Sequence, residues 1–296
     1  MFYRDYSHWI REQFPYRVQK IAVDAGFSCP NRDGLLSTGG CTFCNNKTFN
    51  PAYCNSRKPI AQQLEEGKAF FSKKYPEMKY LAYFQAYSNT YGTLEQLRER
   101  YEEALAVPDV VGLVIGTRPD CVSDEALCYL QHLSRRTFLI VEYGIESTND
   151  DTLLRINRGH TFACSRLAIM KAHQMGIITC GHVILGLPGE DEAEILQQAN
   201  AISQLPLDIL KLHQLQIIKG TPLAREYAAH PFKVFTAEEY VDLVLRYITR
   251  LRNDIILERF VSQSPPDMVL APKWGLKNHE FTNLLNKRIR ELGLER

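Results

Sequence analysis

The sequence predicts an α/β fold: a partial (β/α)6 barrel with a C-terminal cap of helix and strand over one mouth. Three observations predict it. Six β-branched or aromatic runs recur along the chain, and amphipathic stretches long enough for helices separate them. Strands alternating with helices in this way form parallel sheets. A full eight-stranded barrel takes ~250 residues, whereas the clear alternation here ends near residue 220.

The first strand is "VQKIAVD" (18–24), followed by a glycine- and cysteine-rich loop and a helical "PIAQQLEEGKAFFSKKY" (59–75). Then come strand "KYLAYFQAY" (79–87) with helix 93–106, strand "VVGLVIGT" (110–117) with helix 123–135, and strand "TFLIVEYGIES" (137–147) with helical stretches 148–157 and 161–175. Strand "GIITCGHVILG" (176–186), helix 191–205 and strand "DILKLHQLQII" (208–218) complete the alternation. Thr93, Ser123 and Thr148 each stand before acidic residues and an apolar helical period, the signature of a helix start. Residues 1–232 therefore read as the core domain and 233–296 as the cap extension. The cap comprises helix 236–253, a strand-like "IILERF" (255–260), the proline-rich "SPPDMVLAPKWG" and a basic last helix carrying Lys287, Arg288 and Arg290.

Composition bounds the function. Charge is nearly balanced, 35 Lys+Arg against 34 Asp+Glu, so an RNA partner would need a local basic patch. The charged opening "MFYRDYSHWIREQF" has no apolar signal-peptide core, and "GIITCGHVILGLPG" is too short and glycine-rich to span a membrane. Eight cysteines without a secretory signal read as reduced thiols or metal ligands. The expected location is the cytoplasm.

"DAGFSCPNRDGLLSTGGCTFCNNKTF" (24–49) places Cys29, Cys41 and Cys44 just after the first strand, at the edge where parallel α/β folds put their chemistry. Gly34, Gly39 and Gly40 let the loop fold back so that the thiols meet. Three readings follow: a closed zinc site completed by Cys54, an iron–sulfur site one thiolate short, or unrelated thiols. Cys121, Cys128, Cys164 and Cys180 fall in or beside regular elements and read as buried small hydrophobes.

Three cysteines after the first strand of a six-stranded part-barrel, with Phe43 before the last, resemble the radical S-adenosylmethionine (SAM) superfamily. The common spacing there is C-x3-C-x2-C; this chain has C-x11-C-x2-C, a lengthened first gap shared with the elongator catalytic subunit. The motifs "YLAYFQAYSNTY", "GTRPD" (116–120), "EYGIES" (142–147), "NRGHTF" (157–162), "GHVILGLPGE" (181–190) and "LAPKWG" resemble the YhcC-type proteins related to that subunit. The resemblance covers roughly residues 15–275.

The resemblance implies a 4Fe–4S cluster on Cys29, Cys41 and Cys44 whose fourth iron takes SAM, and an electron donor such as flavodoxin or ferredoxin. It implies that Gln85, Tyr87 and Asn89 lie near the methionine amino group, and that Glu146 holds the ribose or methionine end. Arg158 would pair with the methionine carboxylate, His182 would contact the ribose, and Gly186, Pro188 and Gly189 would let backbone approach the adenine. Leu215 or Ile217 would pack on that ring. Gly116 stands where elongator-type relatives carry Glu. Arg118 and Asp120 face substrate or pair with each other, and Lys273 with Trp274 suit phosphate contact and base stacking. The implied activity is SAM cleavage to a 5′-deoxyadenosyl radical, with a tRNA base, by wobble-uridine side-chain chemistry, as substrate. The competing class is a non-catalytic zinc-stabilised RNA-binding or adaptor protein.

Overall fold

The computed structural model describes residues 2–48, 50–72 and 77–294. Its strands are β1 (Arg4–Asp5), β2 (Val18–Val23), β3 (Lys79–Phe84), β4 (Val110–Thr117), β5 (Phe138–Glu146), β6 (Ile178–Leu185), β7 (Ile209–Gln214), β8 (Ile217–Ile218), β9 (Ile256–Arg259) and β10 (Val269–Ala271). Eight of them form one curled half-barrel in the order β1-β9-β7-β6-β5-β4-β3-β2, every pairing parallel. The short pair β8–β10 is antiparallel. The helices are α1 (Tyr6–Gln13), α2 (Ile60–Ser72), α3 (Leu94–Leu105), α4 (Asp124–Ser134), α5 (Asp150–Arg155), α6 (Phe162–Gln174), α7 (Glu192–Ser203), α8 (Pro222–Ala229), α9 (Ala237–Ile248) and α10 (Asn278–Glu291). The end of the helix expected over 59–75, residues 73–75, lies outside the described residues.

Two expectations need correction. The curled parallel half-barrel is as expected, but two further strands extend its edge, and "IILERF" is one of them rather than part of a cap: β9 pairs in parallel with β7, β1 pairs with β9, and α9 lies on the connection between β7 and β9. The sheet thus runs through the boundary expected after residue 232. Helix α5 starts one residue later than expected, since Asn149 rather than Thr148 accepts hydrogen bonds from Asp151 N and Thr152 N. Asn is at least as good a cap as Thr, so the helix starts where its side chain serves two free N–H groups. Thr93 caps α3 in a reciprocal box with Gln96, and Ser123 caps α4.

Alternation along the strands separates two faces. Ile21, Val23, Ala82, Phe84, Leu113, Ile115, Val141, Tyr143, Val183, Leu185, Leu210 and Leu212 form the core shared with the outer helices. On the opposite, concave face, Leu81, Val114, Ile140, Cys180, Ile209 and Ile256 meet Trp9, Ile10 and Phe14 of the α1 segment. This apolar plug closes the bottom of the half-barrel. Above it, towards the strands' carboxyl ends, the concave side chains become polar, and the site begins there.

Candidate functional site

The loop after β2 is drawn over the open edge by its own backbone. Arg32 N and Asp33 N donate to Cys29 O, and Cys44 N donates to Cys41 O. Gly40, at φ +74, sits under the Arg32 guanidinium, which a Cβ there would meet at 3.0 Å. That guanidinium also donates to Cys44 O at 2.9 Å. A second segment anchors the loop from across the barrel. Asn157 Nδ2 donates to Gly40 O at 2.9 Å, and Asn31, wholly buried, donates to the carbonyls of Asn157 and Arg158.

Cys29, Cys41 and Cys44 are all free thiols and all line one cavity of about 240 Å³. Burial and then the neighbouring Cys41 push the Cys44 thiol above its ordinary pKa, against the pull of Arg32. Among the described residues, the one trio of His, Cys and carboxylate groups with ligand atoms all within 4.8 Å of one another is Glu142, Cys180 and His182. At least one pair of the loop thiols therefore lies farther apart than the ~3.8 Å sulfur separation that tetrahedral zinc with 2.3 Å bonds requires. Cys54 does not join them: its Sγ lies 2.9 Å from Ala22 O, and burial, then Asp24, raises it to about 12. The closed zinc site thus loses its fourth thiol. Of the other cysteines, Cys121 and Cys180 are buried as expected, but Cys128 is exposed, on the outer side of α4.

Arg158 connects the thiols to the strand ends. Its Nη1 lies 3.6 Å from Cys41 Sγ, and its Nη2 lies 2.6 Å from Gly144 O and 3.6 Å from Glu146 Oε1. Only 6% of Arg158 is exposed, so this is no surface ion pair. Burial opposes the charge, while Cys41 and Glu146 keep the guanidinium protonated. Among the described residues, its Nε has no hydrogen-bond partner. Glu146 sits at φ +68 beside a break in the β5–β6 register. A non-glycine residue held there marks backbone kept in place by its surroundings. Gly144 leaves room for the pair: a Cβ there would lie 2.6 Å from Arg158 Nη2 and Glu146 Oε1, and those side-chain ends would have to move.

The remaining expected residues divide. Gln85, Tyr87, Phe43, Leu215 and His182 line the cavity. Arg118 lines it too, with Nε and Nη2 both bonded to Asp120 and Nη1 unpartnered. Asn89 and Gly186 are not among the residues that line it. Asn89 is wholly buried, its amide donating to Phe84 O and Gly116 O so that it ties β3 to β4. A Cβ on Gly186 would meet the Phe235 ring at 2.9 Å, so its bareness serves packing. Ile217 is core. Trp274 is likewise not offered to a base: its Nε1 donates to Phe235 O, and its ring packs against Tyr240 and Phe281. Arg288 is engaged with Asp242.

The strand runs hid a buried charge layer that the sequence reading missed. Lys20 Nζ lies 3.1 Å from Glu142 and 2.7 Å from Glu258, and Lys211 pairs with the same two carboxylates. His182 Nε2 lies 3.0 Å from Glu142. Burial alone would push the Glu142 carboxyl up, but Lys211, Lys20 and His182 together hold it well below the carboxylate range. The lysines also cover Tyr83 and Tyr6, at 4.9 to 5.4 Å from the ring centres. With two ammonium groups on the Glu142–Glu258 pair, the Glu142–Cys180–His182 trio is no cation site. Single charged letters inside the apolar runs, Lys20, Glu142, Lys211 and Glu258, were the signal that could have found this layer.

Comparison with known proteins is consistent with this architecture. Residues 36–202 match the Radical SAM superfamily and residues 207–291 the Radical_SAM C-terminal domain. The chain is 36% identical over 291 residues to the uncharacterized protein YtqA of Bacillus subtilis, covering 98% of this chain and 90% of that one. It is 36% identical to protein YhcC of Escherichia coli over 90% of this chain and 85% of that one. Elongator complex protein 3 of Schizosaccharomyces pombe is 26% identical over 62% of this chain and 33% of its own length. The archaeal Methanocaldococcus infernus Elp3 shares the fold, with a TM-score of 0.73 at 18% identity, over 95% of this chain and 64% of that one. No helix among the described residues is long and apolar enough to cross a membrane. A three-thiol loop over the carboxyl edge of a curled parallel sheet and matches spanning nearly the whole chain lead to one conclusion: this chain belongs to the radical SAM superfamily of enzymes, in the YhcC-type group related to the elongator catalytic subunit.

Proposed function

We propose that Cys29, Cys41 and Cys44 hold a 4Fe–4S cluster at the cavity wall and that SAM completes it. The observation that carries this reading is Arg158, buried between Cys41 Sγ and Glu146 with a free Nε. The donor set fits the group. Three thiols that do not close to within zinc distance of one another suit a cube of irons with one corner left for an outside ligand. Arg32 lowers and Cys41 raises the Cys44 thiol, and Arg158 stands beside Cys41 Sγ, so both guanidinium groups offset the negative charge of the thiolates.

Cys29, Cys41 and Cys44 would hold the cluster, and together with SAM it would supply one-electron chemistry that generates a 5′-deoxyadenosyl radical for hydrogen abstraction. The chain's own residues position and shield. Arg158 offers a forked contact to the methionine carboxylate, which Lys could not reproduce. Glu146 is aimed inward by its positive-φ turn and accepts hydrogen bonds from the nucleoside. Gln85 and His182 line the same wall, and Phe43 and Leu215 provide apolar surface that keeps water from the reacting atoms.

The substrate proposed is a tRNA base, with wobble-uridine side-chain chemistry. Its support is the kinship to Elongator complex protein 3, and an electron donor such as flavodoxin or ferredoxin would supply the reducing equivalents. Two measurements test the reading. Anaerobically reconstituted protein should hold about four irons and four sulfides per chain, against one zinc for a structural site. Mass spectrometry of tRNA nucleosides from cells with and without the gene should show one modified uridine lost or replaced by its precursor. Identical nucleoside profiles would remove tRNA as substrate.

A further inference from the structure

The cavity does not stop at the thiols. It continues down to Tyr83, Glu142, His182, Lys211 and His213 and is bounded on one side by Arg259 and Ser262. At this deep end the charges do not balance. Lys20 and Lys211 are matched by Glu142 and Glu258. Arg259 is left over: among the described residues, no acidic side chain or other acceptor pairs with it. Three cationic side chains therefore face two carboxylates.

The backbone explains how Arg259 reaches this place. Neighbouring residues of a strand point to opposite faces. The register between β7 and β9 shifts here, Leu257 pairing with Leu210 but Arg259 with Lys211. The extra residue is Glu258. Ile256 faces the concave side and Leu257 the outer core, so alternation already places Glu258 in the charge layer, and the shift lets its neighbour Arg259 border the cavity as well. Beside it, His213 has an Nε2 that is buried without a hydrogen-bond partner, and its ring stacks at a tilt on His182, 5.4 Å away. Gln214 and Gln216 bind Ser262 and Ser264 and so hold the 262–264 segment along the cavity rim.

We propose that this deep end is a subsite for a substrate group bearing a single carboxylate, received by the Arg259 guanidinium with His213 Nε2 as a second partner. The inference rests on the reading of the cavity as the reaction chamber and adds the class of group that enters it. One negative charge neutralises the surplus cation. A dianion would leave an unpaired negative charge in a buried site, and a neutral group would leave Arg259 without a partner. The chamber also ends on the charge layer and the α1 plug, so only a terminal group fits. A phosphodiester, with chain on both sides, does not.

The test is saturation-transfer NMR on the anaerobically reconstituted protein, with sodium acetate as probe and with acetamide and dimethyl phosphate as comparators. Acetate should bind saturably, acetamide should not, and dimethyl phosphate should bind more weakly than acetate. Arg259→Gln should weaken acetate by about ten-fold or more, as loss of a charge-assisted contact requires. Arg259→Lys should recover part of it, which also guards against a misfolded Gln variant. SAM, added to saturation, should not displace acetate. No acetate binding, equal binding to Arg259→Gln, displacement by SAM, or a preference for dimethyl phosphate would each overturn the proposal. SAM affinity measured on the same samples separates the two claims. Arg259-dependent acetate binding in a protein that ignores SAM would sink the cofactor reading and leave the subsite standing.

Discussion

Arg158 concentrates the chemistry of the site in one side chain. It touches a thiol, a strand-end carbonyl and Glu146, yet one nitrogen remains free in a buried setting. A guanidinium so placed has unspent capacity for an anion. Arg158→Ala should leave the iron content intact but weaken SAM binding by about 1.5–3 kcal/mol, the worth of a charge-assisted hydrogen bond. Arg158→Lys should recover only part, since an ammonium cannot fork. Calorimetric titration of the anaerobic protein reads both, and unchanged affinity in both variants would remove Arg158 from the cofactor site. Arg158 was legible in the sequence because it sits in a motif. Asn31 was not, because its role is a contact to residues 126 and 127 positions away. The lumen charges were missed for a different reason. A lone lysine or glutamate in an apolar strand looks like a solvated edge until its partners on other strands are known.

At the scale of elements, the site is a loop from β2 held by a turn after α5. Asn157 is the hinge of that arrangement: it adopts φ 54 and its amide donates to Gly40 O and Ser37 Oγ. Asn tolerates this backbone better than most residues, and alanine would lose both hydrogen bonds and add strain. Asn157→Ala should therefore fold but hold its irons loosely, losing them to a chelator about ten-fold faster than wild type, while Asn157→Gly should lose the hydrogen bonds alone and fall between. Equal retention in all three proteins would show that the loop is self-supporting. The same scale explains the misread strand. "IILERF" follows a proline-free helix and precedes a proline-rich loop, so local pattern could not say whether it joined the sheet. Its parallel partner β7 lies nearly fifty residues back in the chain, Ile209 pairing with Ile256, beyond the reach of periodicity.

For the whole molecule, two properties follow from burial. The first is a dependence of stability on pH set by Glu190, in the loop between β6 and α7. Burial pushes this carboxyl up to about 7, against the hydrogen bond from Ser147. A raised carboxyl contributes stability that is full below its unfolded value of ~4.3 and is lost as pH rises towards 7. Wild type should therefore lose up to about 3 kcal/mol between pH 4.5 and 8 relative to Glu190→Gln. Urea unfolding at both pH values checks this, and parallel profiles for the two proteins would refute it. The second property is the division of labour among cysteines, on which the account of the site depends most. Cys29, Cys41 and Cys44 share one cavity, while Cys54 is turned to Ala22 O. Each of the eight cysteines was visible in the sequence, but only the fold separates the trio from Cys54. The decisive measurement is iron content and release of 5′-deoxyadenosine, under dithionite and SAM, for serine variants at each of these four positions. The account predicts loss of both in Cys29→Ser, Cys41→Ser and Cys44→Ser, with Cys54→Ser matching wild type. Full iron and cleavage in any of the first three, or their loss in Cys54→Ser, would contradict it.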